Sequence, residues 1–173
     1  LAVLEKYSDL VDQRDDLNIE RITLYNQIGD YKMAYDLLGQ RQFHPWEGGE
    51  GKVIAQYVLC RLELTRQALR EGQYELALRL LKETEHYPHN LGEGKLSTVE
   101  ENDIHYYMGC AYEGLGDTVN ANKYFQMATV GSDELAIAFF YNDQQPDKMF
   151  YKGLAWRKLG HEDKAKGCFY KLI

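Results

Sequence analysis

Residues 101–125 read ENDIHYYMGCAYEGLGDTVNANKYF, and the second half of this stretch recurs along the chain. LGDTVNANKYF from Leu115 aligns with IGDYKMAYDLL from Ile28, EGQYELALRLL from Glu71 and LGHEDKAKGCF from Leu159. The shared glycines, Gly29, Gly72, Gly116 and Gly160, are spaced 43, 44 and 44 residues apart. Five residues after each comes an alanine: Ala34, Ala77, Ala121, Ala165. Four further on stands a large apolar residue: Leu38, Leu81, Phe125, Phe169. Tyr25, Ala68, Tyr112 and Trp156 lie four before the glycines. Four slots kept in four copies at nearly constant period mark a repeat architecture.

Each slot has a physical role. A glycine ends a helix because it enters the left-handed region without a Cβ penalty. Asp30 and Asp117, just after it, are placed to cap the next helix. The alanine lets two antiparallel helices approach, and the large residue one turn later fills the groove between repeats. A single helix pair leaves one face unburied, so stacking completes the core. The expected fold is therefore all-α, an α-α superhelix of four helix-pair repeats over about 1–42, 43–86, 87–130 and 131–173. Helices are predicted at 2–28, with a break near Asp15-Asp16, and at 30–42, 52–71, 73–86, 98–115 and 117–129. A short one at 133–141 and a last pair at 146–159 and 161–172 complete the map. Ser97-Thr98-Val99-Glu100 reads as a capping box that starts a helix near residue 98.

Bulk properties narrow the function. The chain has 173 residues, 14 tyrosines, only 3 prolines and a net charge of −7. That balance argues against nucleic acid, which needs clustered Lys and Arg. The longest apolar run, Leu135 to Tyr141, is too short to span a membrane. Cys60, Cys110 and Cys168 make no metal-spaced pair and read as small core residues of a reducing compartment. Residue 1 is Leu, which suggests a piece of a longer polypeptide.

The junctions repeat as well. FHPWEGGEGK (43–52) and HYPHNLGEGK (86–95) are offset by 43, and the third junction, from Gly131, lacks the motif. A phosphate loop would need Ser or Thr after the lysine and a strand before it. Here Val53 and Leu96 follow, so the motif reads either as a structural turn or as a recognition edge aligned along one side of the stack. His44, Trp46, Glu50, Tyr87 and Glu93 are the loop-edge candidates, with Trp46 expected to pack on a neighbouring repeat. His86 and His89 lack the further ligands that zinc requires.

These slots resemble the tetratricopeptide repeat. The third copy agrees best, through Gly109, Tyr112, Gly116, Ala121, Phe125 and Ala128, and the fourth keeps Gly153, Trp156, Gly160, Ala165 and Phe169. Ile22 and Thr65 depart from it, and the period is about nine longer than the usual 34, so the first helix or the junction is extended. The resemblance implies a binding scaffold rather than an enzyme, with the first helix of each pair lining a groove. Candidate groove residues are Arg66, Tyr106, Tyr107, Phe150, Tyr151 and Arg157. The slots at which one subclass grips a C-terminal carboxylate carry Arg66 as the only base, so that mode is not expected. FHPWEGGEGK, LGEGK, ENDIHYYMGCAYEGLGD and FYKGLAWRKLG further resemble the C-terminal part of an uncharacterised bacterial family of long proteins with an N-terminal domain of unknown function. That likeness implies a bacterial cytoplasmic protein, without catalytic residues or cofactor in this part. Its partner would be a protein or peptide, including its own N-terminal domain. The alternative is a glycan-binding or regulatory module of a carbohydrate-active enzyme.

Overall fold

The computed structural model describes residues 1–135 and 143–173. The helices are α1 (Ala2–Lys6), α2 (Ser8–Val11), α3 (Asp15–Gln27), α4 (Tyr31–Gln40), α5 (Lys52–Arg70), α6 (Tyr74–Lys82), α7 (Asn102–Gly114), α8 (Thr118–Met127), α9 (Pro146–Lys158) and α10 (Glu162–Tyr170). No strand occurs among the described residues. The short helix expected at 133–141 falls largely on residues outside the described ones.

All four repeat glycines are left-handed, with φ of 85°, 72°, 77° and 80° at Gly29, Gly72, Gly116 and Gly160. Each turn closes in the same way. The N–H groups of Asp30, Gln73, Asp117 and His161 donate to the carbonyls of Tyr25, Ala68, Tyr112 and Trp156 at 2.8–2.9 Å. This is the six-to-one bond of a Schellman turn, so the slot four before each glycine supplies its acceptor. The next helix then starts on a cap. Asp30 accepts from Met33 N–H at 3.1 Å, and Asp117 from Asn120 N–H at 3.0 Å. The slot alanines Ala34, Ala77 and Ala165 are fully buried. The two departures, Ile22 and Thr65, are also wholly buried, so the bulkier side chains are taken up by the core.

The described residues form two compact units, Leu1–Leu64 with Glu83–Lys95, and Thr65–Lys82 with Leu96–Ile173. In the first, Ile19, Ile22, Ala34, Leu38, Phe43, Val53, Tyr57, Cys60 and Leu91 make one core. The expected break in the first long helix lies at residues 12–14, where Asn18 Nδ2 donates to Val11 O at 2.5 Å and Arg14 O at 3.1 Å. In the second unit α7 packs on α8 and α9, and α9 packs on α10. Here Gly109 serves close approach. A Cβ there would come within 2.5 Å of the Phe125 ring.

Two expectations need correction. The capping box at Ser97 to Glu100 does not form; α7 starts at Asn102, and Ser97 and Thr98 are exposed. Asn102 has another task. Its side-chain amide donates to Ala128 O and Val130 O, both at 2.8 Å, and holds the end of α8. The helix predicted to end at 86 stops at Lys82, because the chain is diverted at Glu83 and Thr84. The Tyr57 hydroxyl donates to Glu83 O at 3.0 Å, and Lys95 Nζ to Thr84 O at 3.1 Å. The long period is thus spent mainly on the junctions, residues 41–51 and 83–101.

Asp15 ties the first junction to α3. Its carboxylate pairs with Arg41 and accepts the His44 backbone N–H at 3.0 Å. Burial alone would raise this carboxyl, but the hydrogen bonds from Arg41 and His44 outweigh it and lower the pKa. A lowered carboxyl adds stability above its unfolded value, and that share is lost as pH falls through the folded value. Asp15→Asn is therefore expected to cost about 1.5–3 kcal/mol at pH 7, the worth of hydrogen bonds to a charged group. In urea titrations the gap from wild type should close below about pH 4. A gap independent of pH would remove the carboxylate from this account.

Candidate functional site

Successive first helices α7 and α9 are in register at an offset of 44–45 residues. Tyr107 and Tyr151 share a hydrogen bond between their hydroxyls at 3.2 Å. At one end Lys148 Nζ lies 2.5 Å from Asp103 Oδ2, and at the other Lys158 pairs with Glu113. Between these ion pairs the aromatic groove candidates come together. Tyr106 and Tyr107 each meet Tyr151, at ring-centroid distances of 5.8 and 5.4 Å, and Phe150 meets Tyr151 at 5.6 Å. Tyr106, Tyr107 and Tyr151 are half-buried, and Phe150 is 45% exposed. The patch is part core and part surface.

Its chemistry is that of neutral donors and faces. Burial pushes the Tyr106 and Tyr151 hydroxyls above the ordinary tyrosine value. Burial likewise raises the Cys110 thiol, which is hydrogen-bonded to Tyr106. A thiol held in its neutral form is a poor nucleophile. The Tyr107 and Tyr151 hydroxyls share one hydrogen bond, for which either can be the donor.

The two arginine candidates differ. Arg66 is exposed and its charge acts on the Tyr151 hydroxyl, pulling its pKa down against the larger effect of burial. Arg157 is engaged within its own repeat: Nε lies 3.3 Å from Glu162 Oε2 and the guanidinium sits 5.0 Å over the Phe169 ring. Asp103 lies on the groove face that the sequence mapped for the third pair, whereas its partner Lys148 was not among the candidates. Their opposite charges at an offset of 45, one more than the repeat period, were the available signal.

The loop-edge candidates lie in the other unit and are mostly occupied. The Trp46 ring takes the space that a Cβ on Gly49 would fill and packs against the core of its unit. Tyr87 stands edge-on to Tyr57 at 6.3 Å, with Lys95 Nζ 5.8 Å from its ring centre. Both oxygens of Glu93 accept from Gly51 N–H, at 2.9 and 3.1 Å. His44 is exposed but has Nδ1 3.3 Å from Asp15, and Glu50 is exposed.

The duplicated loops therefore clasp one another, and they do so with different backbones. Left-handed glycines are Gly48 and Gly51 in the first copy but Gly92 in the second. A Cβ on Gly92 would come within 2.7 Å of Phe43 O, and the Phe43 N–H donates to Asn90 O at 2.7 Å. Equal sequence here serves a fitted pair of loops, not two equal sites. His86 and His89 are both exposed, and no group of three metal-binding side chains gathers among the described residues.

Residues 103–129, which span α7, its turn and α8, match the tetratricopeptide repeat family. No solved structure matches the chain. The family match falls on the copy that carries Tyr106 and Tyr107, and such repeats commonly bind proteins or peptides. No helix among the described residues is long and apolar enough to cross a membrane.

Proposed function

We propose that this chain is a non-catalytic peptide- or protein-binding module, and that Tyr106, Tyr107, Phe150 and Tyr151 on α7 and α9 form its recognition surface. The observation that carries this reading is the half-exposed aromatic array held between two ion pairs. A purely structural array would be covered, yet Phe150 stays 45% exposed. Arg66 adds a positive charge beside Tyr151, so the favoured ligand is an apolar segment with a carboxylate nearby. Aromatic and arginine side chains are the residue types that dominate binding energy at interfaces. Arg157, on the same helix as Phe150 and Tyr151, is paired with Glu162. The carbohydrate alternative rested on the loop edge, and there Trp46, Tyr87 and Glu93 are engaged in holding the fold.

A peptide-display selection against the 173-residue chain tests this. Selected peptides should carry an acidic residue beside an apolar one. Phe150→Ala with Arg66→Ala should weaken them at least tenfold, about 1.4 kcal/mol or more, with little change in Tm. Binding that survives the double variant would move recognition elsewhere.

A further inference from the structure

A cleft of about 420 Å³ opens in the first unit, bounded by Tyr35, Asp36 and Gly39 of α4, Tyr57 of α5, and Pro88 and Asn90 of the second junction. That volume lies at the small end of ligand sites, the size for one side chain or one ring. Nothing in the recognition surface on α7 and α9 makes use of it.

The glycines indicate what the cleft accepts. Five lie inside helices, Gly39, Gly109, Gly114, Gly153 and Gly167. Glycine is the poorest helix former after proline, so each calls for a reason. At Gly109, Gly114 and Gly153 the reason is visible, since the rings of Phe125, Tyr74 and Phe169 occupy the space of the missing Cβ. Trp46 does the same at Gly49 in the first loop. At Gly39 nothing lies within 4 Å of that position. Gly167 is open too, so openness alone defines no site. Gly39 differs because its bare backbone forms a wall of the cleft, one turn from Tyr35.

The polar groups add a second constraint. Asn90 Nδ2 spends both hydrogens, on Leu38 O and Arg41 O, each at 2.8 Å. The Tyr57 hydroxyl proton goes to Glu83 O at 3.0 Å. Asp36 offers a carboxylate of which one oxygen accepts from Lys32 at 2.6 Å. Gln40 contributes an amide. The Asn90 amide and the Tyr57 hydroxyl are thus spent as donors, while the second Asp36 oxygen and the Gln40 amide oxygen face the cleft as acceptors. We infer that this cleft seats an aromatic side chain of a partner peptide whose edge donates a hydrogen bond, tryptophan or tyrosine, with its ring laid on Gly39. The chain would then read a partner at two places, independently of one another.

The ¹⁵N-labelled 173-residue chain should be titrated with N-acetyl-tryptophanamide and N-acetyl-tyrosinamide, against N-acetyl-phenylalaninamide, N-acetyl-lysinamide and methyl β-glucoside. The first two should give saturable millimolar shifts at Gly39, Gln40 and the Asn90 side-chain amide. The phenylalanine probe, lacking the donor, should bind at least threefold more weakly. Gly39→Leu should abolish saturation while leaving Tm unchanged or raised, because a side chain there meets open space in an ordinary helix. Phe150→Ala should leave the titration unaltered, which separates this site from the one on α7 and α9. No saturable response, equal binding by Gly39→Leu, or preference for the lysine or glucoside probe would overturn the assignment.

Discussion

Phe125→Ala is expected to remove about 3–5 kcal/mol of stability, the range for a large buried aromatic cut to alanine. Phe125 is 2% exposed and lies against Gly109 of α7, while its ring meets that of Tyr106 at 5.9 Å. The loss combines transfer of the ring to water with the cavity left between α7 and α8. In a chain of this size that is a fall in Tm of roughly 6–20 °C. A double-mutant cycle gives the sharper measurement. Gly109→Ala alone should destabilise by about 1–2 kcal/mol, because overpacking against a fixed ring outweighs the gain in helix propensity. In the Phe125→Ala background the same change should become stabilising, since the methyl then enters the vacated space. Urea titrations of the four proteins would show the reversal, and additive effects would mean that the ring does not rest on Gly109.

That glycine-to-ring contact also shows why some of the fold was legible in the sequence. Repeat slots are local devices: a left-handed glycine, a cap at the very next residue, an alanine at a helix crossing. Each imposes one residue type at a fixed distance along the chain, so the helix pairs and their turns followed from spacing. Tyr107 and Tyr151 could be paired because the period itself predicts which residues of neighbouring first helices meet. The junctions resisted the same reading. Ser97 to Glu100 has the residue types of a capping box, but Asn102 is drawn to the α8 carbonyls, and a tertiary bond decided where α7 begins. GEGK occurs twice, yet Gly51 donates to Glu93 while Gly94 has no matching role. Identical letters took different conformations because one loop is the other's partner. The cleft at Gly39 was invisible for a related reason. It is formed by residues 35–40 and 88–91, and no periodic slot links those segments.

The ion pair between Asp103 and Lys148 is expected to show the other large effect. Asp103 is 3% exposed at its side chain and Lys148 17%, with Asp147 a further 3.4 Å from the ammonium. Asp103→Ala would leave a part-buried ammonium facing only the half-exposed Asp147, and breaking such a pair from one side costs up to about 3–5 kcal/mol. Burial depresses the lysine, but the Asp103 and Asp147 carboxylates outweigh it, and its pKa ends above the ordinary value. A raised lysine contributes fully below the unfolded value and loses its share as pH rises through the folded one. The gap between wild type and Asp103→Ala should therefore be level near neutrality and narrow above about pH 10. Replacing both, as Asp103→Leu with Lys148→Met, should restore most of the stability, since apolar packing can match a buried pair. What the double variant tests is register. If the pair sets α9 against α7, restored stability should come with a weakened Tyr107 to Tyr151 contact and poorer binding of the selected peptides. If binding is retained with stability, packing alone holds the two helices in place and the charges are dispensable to recognition.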